Sequence, residues 1–156
     1  MKPPAGWPRI TPSVYYEEPN IAIDWLCAAF GFEVRLKIEG ENGRIEHSEL
    51  TFGDDGMIMV GTAAKAGATA ENAWQATYAS PRSLDGRGTQ AVAIFVDDVD
   101  DHHDRAAAAG ARIVRPLETN DYGDDYWSDR SYGCCDPEGH LWWFMQRMRD
   151  QKPSGK

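Results

Sequence analysis

His47 and Glu49 are the residues of this chain best suited to acid–base chemistry. They stand two positions apart in a segment with the alternation of a β-strand, so their side chains share one face of the sheet. Histidine titrates near neutral pH, and a neighbouring carboxylate can act as a base. We therefore interpret both as candidate catalytic residues.

Two hairpins predict which other side chains join this pair. Turns at 53–56 and at 136–139, the second with the sequence Asp-Pro-Glu-Gly, suit the backbone angles of a four-residue reversal. The first turn predicts Glu49 opposite Val60, and directly opposed residues share a sheet face.

The second hairpin is predicted to add polar and aromatic partners. Its turn places Tyr132 opposite Trp143, and Arg130 faces the same way because it lies two residues before Tyr132. Arg130 could clamp a carboxylate or pair with Glu49, and Trp143 offers flat apolar surface. Charges in half-buried strands are costly unless paired or used, so we predict a binding site on this face. The alternative is a solvated or dimer-forming face with Glu49 and Arg130 as a structural pair.

Of the remaining aromatic, histidine and cysteine side chains, two are predicted to join this site and the others are not. Tyr126 and Trp127 would extend its aromatic surface for an organic ligand. His102 and His103 are adjacent in a predicted helix and point about 100° apart, so a solvated helix start is expected there instead of a metal site. His140 is expected to be a structural histidine that shares the helix-side face with Trp142. Cys134 and Cys135 are expected on opposite faces of one strand, not in a disulfide framework.

The elements that position these residues form two copies of one βαβββ unit. The first copy is predicted as a strand at 10–16, a helix at 21–30 ended by Gly31, a strand at 32–38 and the first hairpin. The second is predicted as a strand at 89–96, a helix up to 109 ended by Gly110, a strand at 111–116, a polar connection at 118–125 and the second hairpin. The fold class is therefore α+β, one domain with modules at about 8–62 and 88–147.

The segment 63–88 joins the modules and is rich in Ala, Gly, Ser and Thr. Loops of this length are usually functional or mobile, so it is either a surface linker or a flap over a ligand. A short helix at 70–78 with Trp74 as its anchor is predicted within it.

Composition narrows the functional class. The chain has 156 residues and a net charge of -9, which argues against a nucleic-acid partner and permits cationic or neutral small ligands. No apolar run approaches the ~20 residues of a membrane span, and no hydrophobic signal region follows the first four residues. We expect a cytoplasmic protein with no membrane partner.

Several motifs occur in an order that resembles a known superfamily. They are the Val-Asp-Asp-Val-Asp strand exit at 96–100, Ala-Ala-Gly-Ala at 108–111, Tyr-Gly at 132–133 and Asp-Pro-Glu-Gly-His-Leu-Trp at 136–142. With the tandem units they resemble the vicinal oxygen chelate superfamily, the glyoxalase, bleomycin-resistance and extradiol-dioxygenase group. The resemblance implies a curled mixed-sheet cup with helices on its outer face, a ligand inside and a homodimer.

The resemblance also implies where a metal would bind. The four ligand positions of metal-dependent members fall near Thr11, on Glu49, near Ala91 and on Trp143 in this chain. Only Glu49 is a suitable ligand, and a divalent ion in such a site needs three or more protein donors, so no metal cofactor is expected. Gln90, beside Ala91, is retained as a ligand-binding candidate.

These inferences lead to three functional readings. The first is metal-free binding of a small organic molecule in an aromatic and acidic cup, as in drug binding or sequestration. The second is a lyase, isomerase or dioxygenase-type enzyme that uses Glu49 and His47 with or without a divalent metal. The third is a scaffold that has lost its ligand.

Overall fold

The computed structural model describes residues 1–65, 69 and 73–153 and contains two βαβββ repeats. The chain divides into two compact units, one formed by residues 1–88 with 138–140 and the other by residues 89–137 with 141–156. Each unit contains one four-stranded mixed sheet and one α-helix, which confirms the α+β class and the tandem repeat.

The first unit is built from five elements. They are β1 (Ser13–Tyr16), α1 (Pro19–Phe30), β2 (Glu33–Glu39), β3 (Ile45–Phe52) and β4 (Gly56–Thr62). The strand order is β1-β4-β3-β2, with β1 parallel to β4 and the other neighbours antiparallel. Proline suits the first turn of α1 because its missing N–H would have no helical partner there. The helix ends at Gly31, whose φ of 90° is a left-handed conformation that favours glycine.

The second unit repeats this order. Its elements are β5 (Ala91–Phe95), α2 (Val99–Ala108), β6 (Arg112–Asp121), β7 (Ser128–Cys135) and β8 (Leu141–Arg149). The strand order is β5-β8-β7-β6, with β5 parallel to β8. The Asp98 carboxylate caps α2 by accepting a hydrogen bond from the Asp101 backbone N–H at 3.0 Å.

Each sheet packs one face under its own helix. Strand alternation places small and large apolar side chains together on this helix-side face. The buried members are Val14, Tyr16, Leu50, Ile58 and Val60 in the first sheet, and Tyr132, Cys134, Trp142 and Phe144 in the second. The opposite face of each sheet is called the helix-free face below.

Both predicted hairpin registers are wrong by one residue. In the first hairpin Phe52 pairs with Gly56 and Leu50 with Ile58, so the turn contains three residues. In the second, Cys135 pairs with Leu141 and Tyr132 with Phe144, so five residues form the connection. A shift of one residue moves a side chain to the other face of the sheet, which changes part of the predicted site.

Some predicted boundaries also change. Strand β6 continues to Asp121, so the predicted polar connection is sheet over 118–121. Its polar residues are compatible with a strand because β6 is the edge of the second sheet. Of the helix predicted at 70–78, residues 70–72 lie outside the described residues, and the remainder contains only a short 3₁₀ turn, Gln75–Thr77. Trp74 is 57% exposed and is not an anchor.

The three cysteines are free thiols, as the sequence predicts. No helix among the described residues has the length and apolarity that a membrane crossing requires.

A buried carboxylate holds the start of α1. Glu138 accepts hydrogen bonds from the backbone N–H groups of Glu17 at 2.8 Å and Glu18 at 3.0 Å. It also accepts one from the Ser80 hydroxyl at 2.6 Å, and all these groups belong to the first unit. The first N–H groups of a helix have no internal partner, and Glu18 makes no side-chain cap, so Glu138 does the work of a capping residue from a distant part of the sequence.

Replacing this carboxylate should weaken the first unit. Glu138→Gln keeps the size of the side chain but replaces one acceptor oxygen by an amide donor that faces a donor. We expect the free energy of unfolding to fall by roughly 2 kcal/mol in urea titration. Glu18→Gln, at an exposed ion pair with Arg82, is the matched control and should lower the free energy of unfolding far less, because exposed ion pairs contribute little. Equal losses in the two variants would contradict the capping role.

Candidate functional site

The helix-free face of the first sheet contains a buried carboxylate. Glu49 Oε1 lies 3.0 Å from His47 Nε2, and Glu49 Oε2 lies 3.3 Å from Arg35 Nε. The Glu49 side chain is 7% exposed, whereas that of His47 is 37% exposed. The predicted proximity of His47 and Glu49 is therefore confirmed, and His47 is the member that solvent or a ligand can reach. Their catalytic role stays a prediction.

Arg35 is a member of this cluster that the sequence reading missed. In a regular strand Arg35 would point away from its neighbours Val34 and Leu36. Val34 pairs with Leu50, so Arg35, the next residue of β2, lies beside Glu49 on the same face of the sheet. The backbone oxygen of Gly6 accepts a hydrogen bond from Arg35, and the Trp7 ring lies 5.8 Å from the guanidinium carbon. The hairpin turns predicted from the sequence fix the pairing of β3 with β4 only, so they contain no signal for this neighbour on β2.

An aromatic stack lies on the same face of the first unit. The Tyr15 ring lies so close over Gly61 that a Cβ at position 61 would be 2.7 Å from it. Tyr78, from the segment between the modules, stacks on Tyr15 with ring centroids 3.7 Å apart and planes at 13°. Burial, together with the hydrogen bond to Tyr78, raises the pKa of the Tyr15 phenol to about 12.

Trp143 lies on the helix-free face of the second sheet. It pairs with Gly133, and its six-membered ring lies across that glycine, because a Cβ at position 133 would be 2.7 Å from the ring. The guanidinium carbon of Arg115 lies 5.8 Å from the Trp143 ring centroid. Arg115 is paired with Glu118 at 2.5 Å, so its charge is already compensated. The indole is half-buried.

Further along this face an arginine lies between two aromatic rings. The guanidinium carbon of Arg147 lies 5.3 Å from the ring centroid of Phe95 and 5.4 Å from that of Trp127. Asp129 fixes Arg147 by an ion pair of 2.6 Å. Phe95 is 56% exposed, so a large apolar surface is open to contact on this face.

The remaining candidates lie at the margins of the second unit. Tyr126 is exposed and meets the Trp127 ring edge-on, with ring centroids 6.2 Å apart. Gln90 is exposed in the extended chain immediately before β5. Ligand binding by either residue stays a prediction.

Arg130 and Tyr132 are not on the helix-free face, and their predicted grouping with Trp143 is wrong. Arg130 makes a two-point ion pair with Asp100 of α2, at 2.9 Å and 2.8 Å. The Tyr132 hydroxyl lies 2.7 Å from Nδ1 of His102, and burial raises the pKa of this phenol well above its usual range. The physical reason is the five-residue connection, which shifts the register and turns both side chains toward the helix.

His102 of α2 and His140 of the second turn both contact other groups of the fold. His102 does not lie at a solvated helix start as predicted, because its ring contacts Phe144 at a centroid distance of 4.1 Å. His140 belongs to the first unit, where its Nε2 lies 2.7 Å from the backbone oxygen of Tyr15. A structural hydrogen bond of His140 was predicted correctly, but its predicted place beside Trp142 was wrong.

The residues at the expected metal positions do not fit a divalent ion. Both carboxylate oxygens of Glu49 face cationic or histidine partners, and Trp143 offers no donor. Within the described ranges, 1–65, 69 and 73–153, no cluster of three or more His, Cys, Asp or Glu side chains could hold a metal ion. We therefore derive no chemistry through a metal in this site.

The motifs and the fold now identify the family. Residues 10–144 match the Glyoxalase/Bleomycin resistance protein/Dioxygenase superfamily. The chain belongs to this superfamily. The resemblance read from the sequence motifs is thereby confirmed.

Individual relatives agree with this assignment. The crystal structure of TioX from Micromonospora sp. ML1 is 32% identical in sequence, covers 89% of this chain and 99% of its own, and superposes with a TM-score of 0.62. The fosfomycin resistance protein FosX from Listeria monocytogenes is 15% identical over 88% of this chain and 90% of its own, with a TM-score of 0.57, which shows a shared fold alone. An uncharacterized protein of Mycobacterium bovis is 28% identical over 92% of this chain and 86% of its own length.

Proposed function

We propose that this member of the superfamily binds a small organic molecule without a metal ion, as a drug-binding or sequestering protein of the cytoplasm. The observation that carries the proposal is the helix-free face of the second sheet, where Phe95 and the half-buried Trp143 present apolar rings. Ligand sites are mostly apolar surfaces with a few placed polar groups. Arg115 and Arg147 are such polar groups here, since each lies beside an aromatic ring.

The charges on this face support a carrier more than a catalyst. Arg115 is paired with Glu118, and Arg147 with Asp129, at 2.5 Å and 2.6 Å. The guanidinium groups can orient a ligand by donating hydrogen bonds, but arginine keeps its positive charge in proteins and does not serve as a general acid or base.

The binding proposal is tested on protein purified without chelator. Elemental analysis should find less than roughly 0.1 equivalent of divalent metal, and thermal-shift screening of neutral, cationic and anionic organic compounds should find stabilising ligands. At a ligand concentration of about 100 Kd the stabilisation is about 2.7 kcal/mol, which should be the same with and without EDTA. Phe95→Ala should weaken binding, whereas Leu84→Ala, at another exposed apolar residue but in the first unit, should not.

The opposite results would overturn the proposal. A stoichiometric metal whose removal abolishes binding would show that the ligand needs the ion. A broad compound set that never raises the melting temperature would show that the protein is not a binder of this kind.

A second candidate function rests on the His47–Glu49 pair. A carboxylate 3.0 Å from an imidazole orients the ring, and the part-exposed His47 could then take a proton from a substrate and return it, as a lyase or isomerase requires. Arg35 would hold the second oxygen of Glu49, at 3.3 Å, and act as a positioning residue. This chemistry needs no metal-derived step.

This alternative predicts a loss of turnover without loss of folding. With α-ketoaldehyde–thiol adducts as test substrates, His47→Asn and Glu49→Gln should each lower kcat about 100-fold or more, since general acid–base catalysis contributes 10²–10⁴-fold. His103→Asn, at a half-buried histidine of α2 in the second unit, is the control and should leave kcat unchanged. If the unchanged protein converts none of these adducts, or if all three variants behave alike, the acid–base role fails for this substrate class.

We also propose a homodimer that uses the edge of the first sheet. Strand β2 is an edge strand and carries three apolar residues that are 40–47% exposed, namely Val34, Leu36 and Ile38. An exposed apolar edge is a ready template for pairing with another chain. Sedimentation should therefore give twice the chain mass of 17.4 kDa, and Ile38→Lys should shift it toward the single-chain value. A single-chain mass for the unchanged protein at about 100 μM would contradict this.

A further inference from the structure

The helix-free faces of the two sheets share one local arrangement, an aromatic ring packed on a strand glycine. In each unit the ring of an aromatic side chain lies close against a glycine of the neighbouring strand. Tyr15 of β1 lies against Gly61 of β4, and Trp143 of β8 lies against Gly133 of β7. A Cβ on either glycine would be 2.7 Å from the ring, a distance that real side chains do not tolerate. Both glycines are therefore required for this close approach of the ring, not merely compatible with it.

The two rings differ in what covers them. Tyr15 is covered by the chain itself, because Tyr78 stacks on it with centroids 3.7 Å apart and planes at 13°. Among the described residues, no aromatic ring stacks on Trp143 in this way, and the guanidinium carbon of Arg115 lies 5.8 Å from its ring centroid. The stacking of Tyr78 on Tyr15 thus shows that another aromatic ring can pack on a ring held in this way.

We propose that Trp143 is a stacking platform for a planar aromatic ring of the bound molecule, which takes the place that Tyr78 takes on Tyr15. The inference rests on the proposed small-molecule binding and names the chemical class of the ligand. Offset-stacked rings attract each other beyond the area that they bury, which favours a flat aromatic system over a saturated one of equal size.

The charges around the platform make ring shape the main element of recognition. Arg115 lies beside the indole, but its Nε and Nη2 atoms both donate to Oε1 of Glu118, at 2.9 Å and 2.5 Å. A carboxylate ligand would have to compete with Glu118 for this guanidinium. The site therefore accepts an uncharged aromatic ring without leaving an unpaired charge.

The test compares 2-naphthol with its saturated counterpart decahydro-2-naphthol by isothermal titration. Both have one hydroxyl and a similar size, but only the first has a flat π face. We expect 2-naphthol to bind the unchanged protein at least about 10-fold more tightly, in line with the energy of an aromatic pair. Equal affinities, or no binding of 2-naphthol at millimolar concentration, would overturn the platform.

Variants at Trp143 and Gly133 test whether the preference for 2-naphthol arises at the Trp143 ring. Trp143→Leu should weaken 2-naphthol binding about 10-fold and Trp143→Phe by at most about 3-fold, because phenylalanine keeps a ring. Gly133→Ala should weaken it as much as Trp143→Leu while leaving the indole in the chain, since the new Cβ lifts the ring from the sheet. Trp74→Leu, at an exposed tryptophan of the first unit, is the matched control and should have no effect.

Two outcomes separate this inference from the proposed function. If Trp143→Leu, shown to be folded by circular dichroism, binds 2-naphthol as tightly as the unchanged protein, the platform is wrong although a binding function stands. If Trp143→Leu does not fold, the comparison of the two naphthol probes on the unchanged protein and on Gly133→Ala still decides the question. A failure of every organic compound in the broader screen would instead remove the proposed function itself.

Discussion

The direction in which each side chain leaves its strand determines what this protein can bind. Each sheet has one face that must be covered by its helix, and the buried residues Leu50 and Val60 in one unit and Trp142 and Phe144 in the other fix that face. Burial of such side chains is worth about 1.5–3 kcal/mol each, so the register cannot slip without a large loss of stability. The neighbours of these residues, Glu49 and Trp143 among them, are consequently held on the helix-free face.

The partners of the two buried carboxylates Glu138 and Glu49 in the first unit distinguish a structural role from a functional one. Glu138 faces two backbone N–H groups and a serine hydroxyl, all parts of the fold that cannot be withdrawn without loosening α1. Glu49 faces two side chains, Arg35 and His47, and both are more than a third exposed. A carboxylate whose partner reaches the surface can influence a ligand, whereas one enclosed by backbone donors stabilises the structure.

Much of the fold could be predicted from the sequence because its signals are local. Gly31 and Gly110 have φ values of 90° and 96°, and both were expected as helix stops from their residue type. The turn lengths depend on distant contacts instead. Glu138 is bound by groups more than a hundred residues earlier in the chain, and the connection from 136 to 140 is one residue longer than its Asp-Pro-Glu-Gly motif suggests. No local pattern contains that information, and the error carried Arg130 and Tyr132 to the wrong face.

The candidate site was predictable to the same extent. The pair His47 and Glu49 was expected together because residues two apart share a face in any register. Arg35 was missed because its place beside Glu49 depends on the register of β2 against β3, which no tight turn fixes. The strand glycines Gly61 and Gly133 were a usable signal, since glycine in a strand interior weakens the strand and often marks a close approach of another group.

The close approach at Gly133 involves a side chain of the chain itself, and this connects stability with function. Glycine costs roughly 0.5–1 kcal/mol relative to alanine in a strand, and at Gly133 it leaves room for the Trp143 indole to lie on the sheet. An indole that stood upright would bury more of its edge against neighbouring side chains and present no flat surface. The combination of a permissive glycine and a half-buried ring therefore exchanges some stability for an accessible aromatic plane, and such an exchange is expected of a surface that binds a ligand.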